Sequence, residues 1–190
     1  MDRLDILLNM TTKLPITIPL SKGKLLLSTL GAFAFVAIGF WFVLAPPSRT
    51  GSSLESTLLM VLGVVAILFF GSITILVIRK LYDSRPGLII NEQGISDNSG
   101  GLSLGQILWT DIEDIQVLQI QRQRLILILV KNPQDYIDRQ SNGWKRKLMA
   151  MNYKQYGTPL SISTNGLKIS FVALLEILRY HLAAFNQTTR

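Results

Sequence analysis

The chain contains no cysteine. A disulfide framework, a thiol nucleophile and a cysteine-ligated metal centre are therefore excluded. It contains one histidine, His181, which removes multi-histidine metal sites as well. Charge is also scarce. Charged residues make up 16% of the 190 residues, against about 25% in ordinary soluble domains. Hydrophobic residues reach 48%. That balance excludes a disordered chain and argues against a wholly soluble one. No G-x-x-x-x-G-K-[ST] loop or dinucleotide fingerprint occurs. The charge that is present is mostly basic, with 19 Lys and Arg against 12 Asp and Glu.

Two stretches carry no charge at all. Residues 25–45 read LLLSTLGAFAFVAIGFWFVLA, and residues 57–78 read TLLMVLGVVAILFFGSITILVI. At about 1.5 Å per residue, each spans a hydrocarbon core of about 30 Å. Within lipid, only a helix satisfies its own backbone in a single segment, so both are expected to be transmembrane helices. Neither contains an ionisable residue, which argues against a stand-alone transporter. Small residues recur in both runs (Gly31, Gly39, Gly63 and Gly71 among them), which suits close packing of the two helices or of a second copy.

The flanks set an orientation. Lys13, Lys22 and Lys24 precede the first run, and Arg79, Lys80 and Arg85 follow the second. In the connector, residues 46–56, Arg49 and Glu55 cancel. The positive-inside rule then predicts a multi-pass protein of the cell (inner) membrane. Residues 1–24 and 79–190 would be cytoplasmic and 46–56 an external loop. A cleaved signal peptide is the rival for the first run, but the run exceeds the usual apolar length and Pro46 would follow the cut. The sequons at Asn9 and Asn186 are then on the cytoplasmic side and read as chance.

Residues 87–190 have ordinary globular composition. Short apolar runs at Gly87–Asn91, from Ile95, at Leu104–Trp109, at Ile112–Gln121 and at Leu125–Val130 are separated by turn residues, which predicts an antiparallel sheet. In the fourth run Ile115, Val117 and Gln119 share one side. LILILV at 125–130 suits a central strand. Trp144–Tyr156 reads as a helix stopped by Gly157. Ser170 is a good N-cap for a last helix to about Phe185, whose stripe is Phe171, Leu174, Leu175, Leu178, Leu182 and Phe185. Ile16–Ser21 could add a strand or be a linker. The fold class is thus α+β, with a core at about 87–190 behind a two-helix membrane hairpin.

Several residues suggest chemistry. Gly101–Gly105 matches G-x-S-x-G around Ser103, but that motif needs a strand before it and a helix after it. A turn and a strand are expected instead. Asp111, Glu113 and Asp114 cluster at a strand start, where a solvated edge is the plainer reading. No catalytic residue is assigned, and no metal or cofactor is implied. The strongest feature is a basic run without an acidic residue, comprising Arg139, Lys145, Arg146, Lys147 and Lys154, with Trp144, Leu148, Met151 and Tyr153 interleaved. Beside a membrane, each such cation gains about 1 kcal/mol from an anionic leaflet. The five cations and Trp144 are the candidate lipid- or partner-binding site. Nucleic acid is disfavoured, because no recognised module is present.

The order of two apolar helices, SKGK at 21–24, Pro86–Gly94, Trp109–Ile112, Lys131–Pro133, Lys145–Leu148 and YGTPLSIS at 156–163 resembles a family of small bacterial membrane proteins. In that family, a cytoplasmic pleckstrin-homology-like (PH-like) domain follows the helices. The resemblance implies a bent antiparallel sheet of about seven strands, a partial barrel closed by the C-terminal helix, and a fold that hosts lipid, peptide and protein ligands alike. It lends no catalytic residue. Val172 and Ala173 stand where the family often has an acidic pair. The function expected is a binding or adaptor module for inner-leaflet lipid or a protein partner. The alternative is a structural or regulatory subunit of a larger membrane complex, or a homo-oligomer, assembled through the apolar helices. No small-molecule substrate is implied.

Overall fold

A computed structural model describes residues 13–47, 53–83, 85–99 and 104–188. The chain divides into two units. Lys22–Ser84 forms one, and the segments before and after it together form the other.

The first unit is a helical hairpin of α1 (Lys22–Leu44) and α2 (Ser53–Leu81). Both helices are long and apolar enough to cross a membrane. Only 12% and 11% of their apolar windows are buried. A core helix of a soluble protein would bury most of its surface, so these helices turn their hydrocarbon outward. Both run further than the uncharged stretches, taking Lys22 and Lys24 into the first turn of α1 and Arg79 into the end of α2. Hydroxyls within the apolar runs are satisfied locally. Thr29 donates to the Leu25 carbonyl at 2.9 Å and Thr74 to the Phe70 carbonyl at 2.8 Å. Such back-bonding keeps a polar side chain compatible with lipid.

Gly39 and Gly63 bring α1 and α2 close together. A Cβ on Gly39 would lie 2.9 Å from the Gly63 carbonyl oxygen, and one on Gly63 would lie 2.6 Å from that of Gly39. Phe35 stacks on Phe70 with ring centroids 4.3 Å apart. These small residues therefore serve the hairpin itself. Gly31 and Gly71 have open space around them.

The second unit contains two antiparallel sheets. The four-stranded sheet has the order β1 (Ile16–Ile18), β2 (Leu88–Ile90), β3 (Gly94–Asp97), β4 (Gly105–Leu108). The three-stranded sheet has the order β5 (Ile112–Ile120), β6 (Gln123–Val130), β7 (Leu160–Ile162). Two helices, α3 (Pro133–Asp138) and α4 (Gly143–Tyr156), lie between β6 and β7 in the chain, and α5 (Phe171–Thr188) ends it. The expected single bent sheet is thus two sheets, and neither is closed.

Ile16–Ile18 is a strand and not a linker. Ile16 pairs with Ile90 and Ile18 with Leu88. The segment continues as a clamp: Leu20 bridges Leu167, Ser21 N–H donates to the Gly166 carbonyl at 2.8 Å, and Lys168 N–H donates to the Pro19 carbonyl at 3.0 Å. Strands β1 and β2, neighbours in one sheet, flank the whole hairpin in the chain. The hairpin is inserted between two strands of this unit.

One core joins both sheets and α5. Leu88, Ile90, Ile95, Ile107, Ile126, Ile128, Leu160 and Leu174 are fully buried within it. The turn into β3 needs glycine, because a Cβ on Gly94 would collide with the Ile107 carbonyl. Strand β6 is the central strand that LILILV predicted. Ser170 caps α5, its hydroxyl accepting from Ala173 N–H at 3.2 Å. The stripe on α5 is wider than its period suggested, because Ile177 and His181 are buried as well.

Strand β5 is buried only at Ile112 and Ile115. Ile115 is buried, but Val117 is 43% exposed and Gln119 lies on the surface. A bulge lies between Ile112 and Asp114, and from Asp114 to Ile120 the pairing with β6 is one-to-one, so Ile115, Val117 and Gln119 do share a side, which is buried only at Ile115. Moreover, β7 pairs with β6 only over Ile126–Ile128, so among the described residues no third strand lies beside the outer end of the β5–β6 hairpin.

Candidate functional site

Helix α4 is set by its ends. Asn142 adopts extended backbone angles, and its side-chain oxygen accepts from Trp144 N–H at 2.9 Å and Lys145 N–H at 3.3 Å. These are two of the donors that a helix start leaves without partners. Gly157, at φ 75°, closes the other end in the left-handed region. Between the caps, Met149 is fully buried and fixes which side faces inward. Lys145, Leu148, Asn152 and Tyr156 are half-buried around it.

At about 100° per residue, Trp144, Lys147, Met151 and Lys154 fall within about 80° of one another, opposite Met149. All four are exposed, Trp144 at 66% and Met151 at 55%. The structure thus divides the predicted basic run. Trp144, Lys147 and Lys154 share the outer face. Arg146 is exposed on a shoulder beside Tyr153, and Lys145 is drawn toward the domain. Arg139 is the C-cap of α3, and its guanidinium lies 4.7 Å from the centre of the Tyr136 ring. Met151, interleaved in the basic run but not counted among the site residues, joins the face. Helical spacing from a buried Met149 is the signal that would have found it.

Tyr136 was likewise missed. It is almost fully buried, donates its hydroxyl proton to Asp111 Oδ2 at 2.7 Å, and accepts from Leu108 N–H at 3.3 Å. Burial, reinforced by the bond to Asp111, pushes the phenol up to about 12, against the smaller opposing effects of Leu108 N–H and the Arg139 charge. Such a phenol stays protonated near neutral pH. It ties α3 to the turn Trp109–Asp111, where Lys131 Nζ also donates to the Thr110 carbonyl at 2.9 Å and Trp109 Nε1 to the Asn91 carbonyl at 2.9 Å. A surface cleft of about 560 Å³ opens beside this turn, with Glu113, Lys131 and Phe185 in its lining.

The acidic cluster is dispersed in role. Asp111 holds Tyr136, whereas Asp114 accepts from Ile115 N–H at 2.8 Å and from Gln116 Nε2 at 3.0 Å. Ser103, Arg49 and Asn9 lie outside the described residues. Strand β4 follows the Gly101–Gly105 motif, where a nucleophile elbow requires a helix. His181 is buried in α5 with its ring 6.4 Å from that of Trp109. Among the described residues, no group of three or more His, Asp or Glu could hold a metal ion. In comparisons with family models, with curated proteins and with solved structures, none matches the chain.

Proposed function

We propose that this is an integral protein of the cell membrane whose soluble unit is a PH-like module held at the cytoplasmic leaflet. There it acts as a binding or adaptor module for inner-leaflet lipid rather than as an enzyme. One observation carries the reading. Strand β1, which precedes the hairpin, pairs with β2, which follows it. If α1 and α2 cross the bilayer, both flanks must return to the same side to form that sheet, and the C-terminal end of α1 must face the other. The basic flanks place the shared side in the cytoplasm by the positive-inside rule. This geometric argument for a hairpin is independent of the charge count, and the two agree.

Support for the PH-like reading comes from the chain order. Four strands in one antiparallel sheet and three in a second precede a single C-terminal helix. Helices α3 and α4 are then an insertion between the sixth and seventh strands. Support for binding over catalysis comes from the polar groups just described, since Asp111, Asp114 and Tyr136 are each engaged in holding the fold.

Because the chain has no cysteine, single substitutions test the topology cleanly. Ser52→Cys should react with a membrane-impermeant maleimide in intact cells. Asn186→Cys should react only after permeabilisation. Labelling of Asn186→Cys in intact cells would place the module on the wrong side. Labelling of both sites, or of neither, would rule out the spanning hairpin.

A further inference from the structure

We infer that the outer face of α4 is a shallow lipid-docking surface, on which Trp144 and Met151 enter the headgroup region of an anionic leaflet while Lys147 and Lys154 contact its phosphates. The inference rests on the membrane-module reading and specifies which atoms of that module touch lipid.

Three observations lead to it. First, the face is unusual for a surface helix: it combines a tryptophan at 66% exposure and a methionine at 55% with two lysines. Second, α4 contains no acidic residue, and none occurs between Arg139 and Lys154. A partner presenting cations would find nothing to pair with, whereas a phosphate surface is complementary along the whole length. Third, the opposite side is committed, because Met149 is fully buried in the core. An ordinary interfacial helix rolls its apolar face deep into the bilayer. Helix α4 cannot do so without unfolding from the domain. Its apolar and basic residues share one outward face, which suits a contact no deeper than the headgroups, where tryptophan is favoured.

The contact is therefore face-specific and not a matter of net charge. Lys145, turned inward, and Arg146, on the shoulder, contribute little, although they are adjacent in sequence to Lys147. Each lysine on the face shifts docking by about fivefold, the equivalent of its attraction to an anionic leaflet.

The test uses the full chain reconstituted in vesicles, with an environment-sensitive fluorophore on Met151→Cys. In vesicles of phosphatidylcholine plus phosphatidylglycerol, the emission should shift to the blue. In phosphatidylcholine alone it should not. Adding Lys147→Glu and Lys154→Glu should weaken docking by about thirtyfold or more. Lys145→Glu with Arg146→Glu, an identical change in charge, should cost no more than a few-fold. Equal losses from the two pairs would overturn the face-specific contact and leave only a general attraction. A probe that stays aqueous on both lipids would also overturn it and leave the face to a protein partner. The Ser52→Cys labelling is read in the same reconstituted protein. A hairpin that fails to span sinks the membrane-module reading itself, whereas a spanning hairpin with an unshifted probe sinks only the docking face.

Discussion

The hairpin and the soluble unit use the same residue types in opposite ways. In α1 and α2, leucine, phenylalanine and valine point outward: Leu27 is 72% exposed and Leu68 is 70% exposed. In α5, Leu174 and Leu178 are fully buried. Apolar area is removed from water in both units, by lipid in one reading and by the protein's own core in the other. What differs is the determinant of tight packing. In the hairpin it is the absence of side chains, at Gly39 and Gly63. In the soluble unit it is their presence.

The sharpest test of that contrast replaces a leucine in each unit. Leu174→Ala should destabilise the soluble unit by about 2–5 kcal/mol through lost burial and a residual cavity. Leu68→Ala should change stability by less than about 0.5 kcal/mol in detergent. Thermal unfolding followed by near-ultraviolet circular dichroism measures both. Comparable effects would mean that Leu68 is packed in the assembled protein, against another copy or another chain.

Within the hairpin, enlarging the contact glycines should be the disruptive change. Gly39→Leu should cost about 1–3 kcal/mol, because the added side chain meets the Gly63 carbonyl and the Ile67 side chain. Gly71→Leu, with open space around it, should be neutral. Proximity of fluorophores attached near Leu44 and Ser53 reads the difference. Should Gly71→Leu prove the worse of the two, a surface of the hairpin not covered by itself would have a partner.

The smallest effect concerns the Tyr136 strut, which belongs to the soluble unit alone. Tyr136→Phe should cost about 1 kcal/mol, by removing the hydrogen bond to Asp111. It should also alter the alkaline limb. The native phenol holds its proton to about 12, whereas an unfolded tyrosine releases it near 10. The folded state therefore binds more protons in that window, and stability must fall as pH rises from about 10 to about 12. Denaturant midpoints measured across that range should fall less in Tyr136→Phe than in the wild type. Parallel declines would show that the buried Tyr136 phenol is not held above its ordinary range in solution.

Much of this architecture was legible from local pattern. The uncharged runs marked α1 and α2 because length and the absence of charge are intrinsic to the segment. The caps at Ser170 and Gly157 ended their helices as read, since capping uses neighbours within four residues. Leu125–Val130 read as a central strand because both of its faces are apolar. Strand β1 was left open, because three residues do not announce a partner more than seventy positions away. The side shared by Ile115, Val117 and Gln119 in β5 was legible from alternation, but where its burial stops was not, because that depends on what the rest of the chain packs against the strand. The candidate site was half legible. The basic run at 139–154 stood out, but which of its members share a face depended on where Met149 is buried.

The sequence by itself determined the two apolar helices, the basic flanks and the stripe of α5, because each follows from periodicity or composition within one segment. Only the tertiary structure decided that β1 joins β2 across the inserted hairpin, that Tyr136 meets Asp111, and that Trp144, Lys147, Met151 and Lys154 form one surface. Those features depend on contacts between distant segments, and such contacts form only when burial of a shared core outweighs the entropy of closing the chain between them.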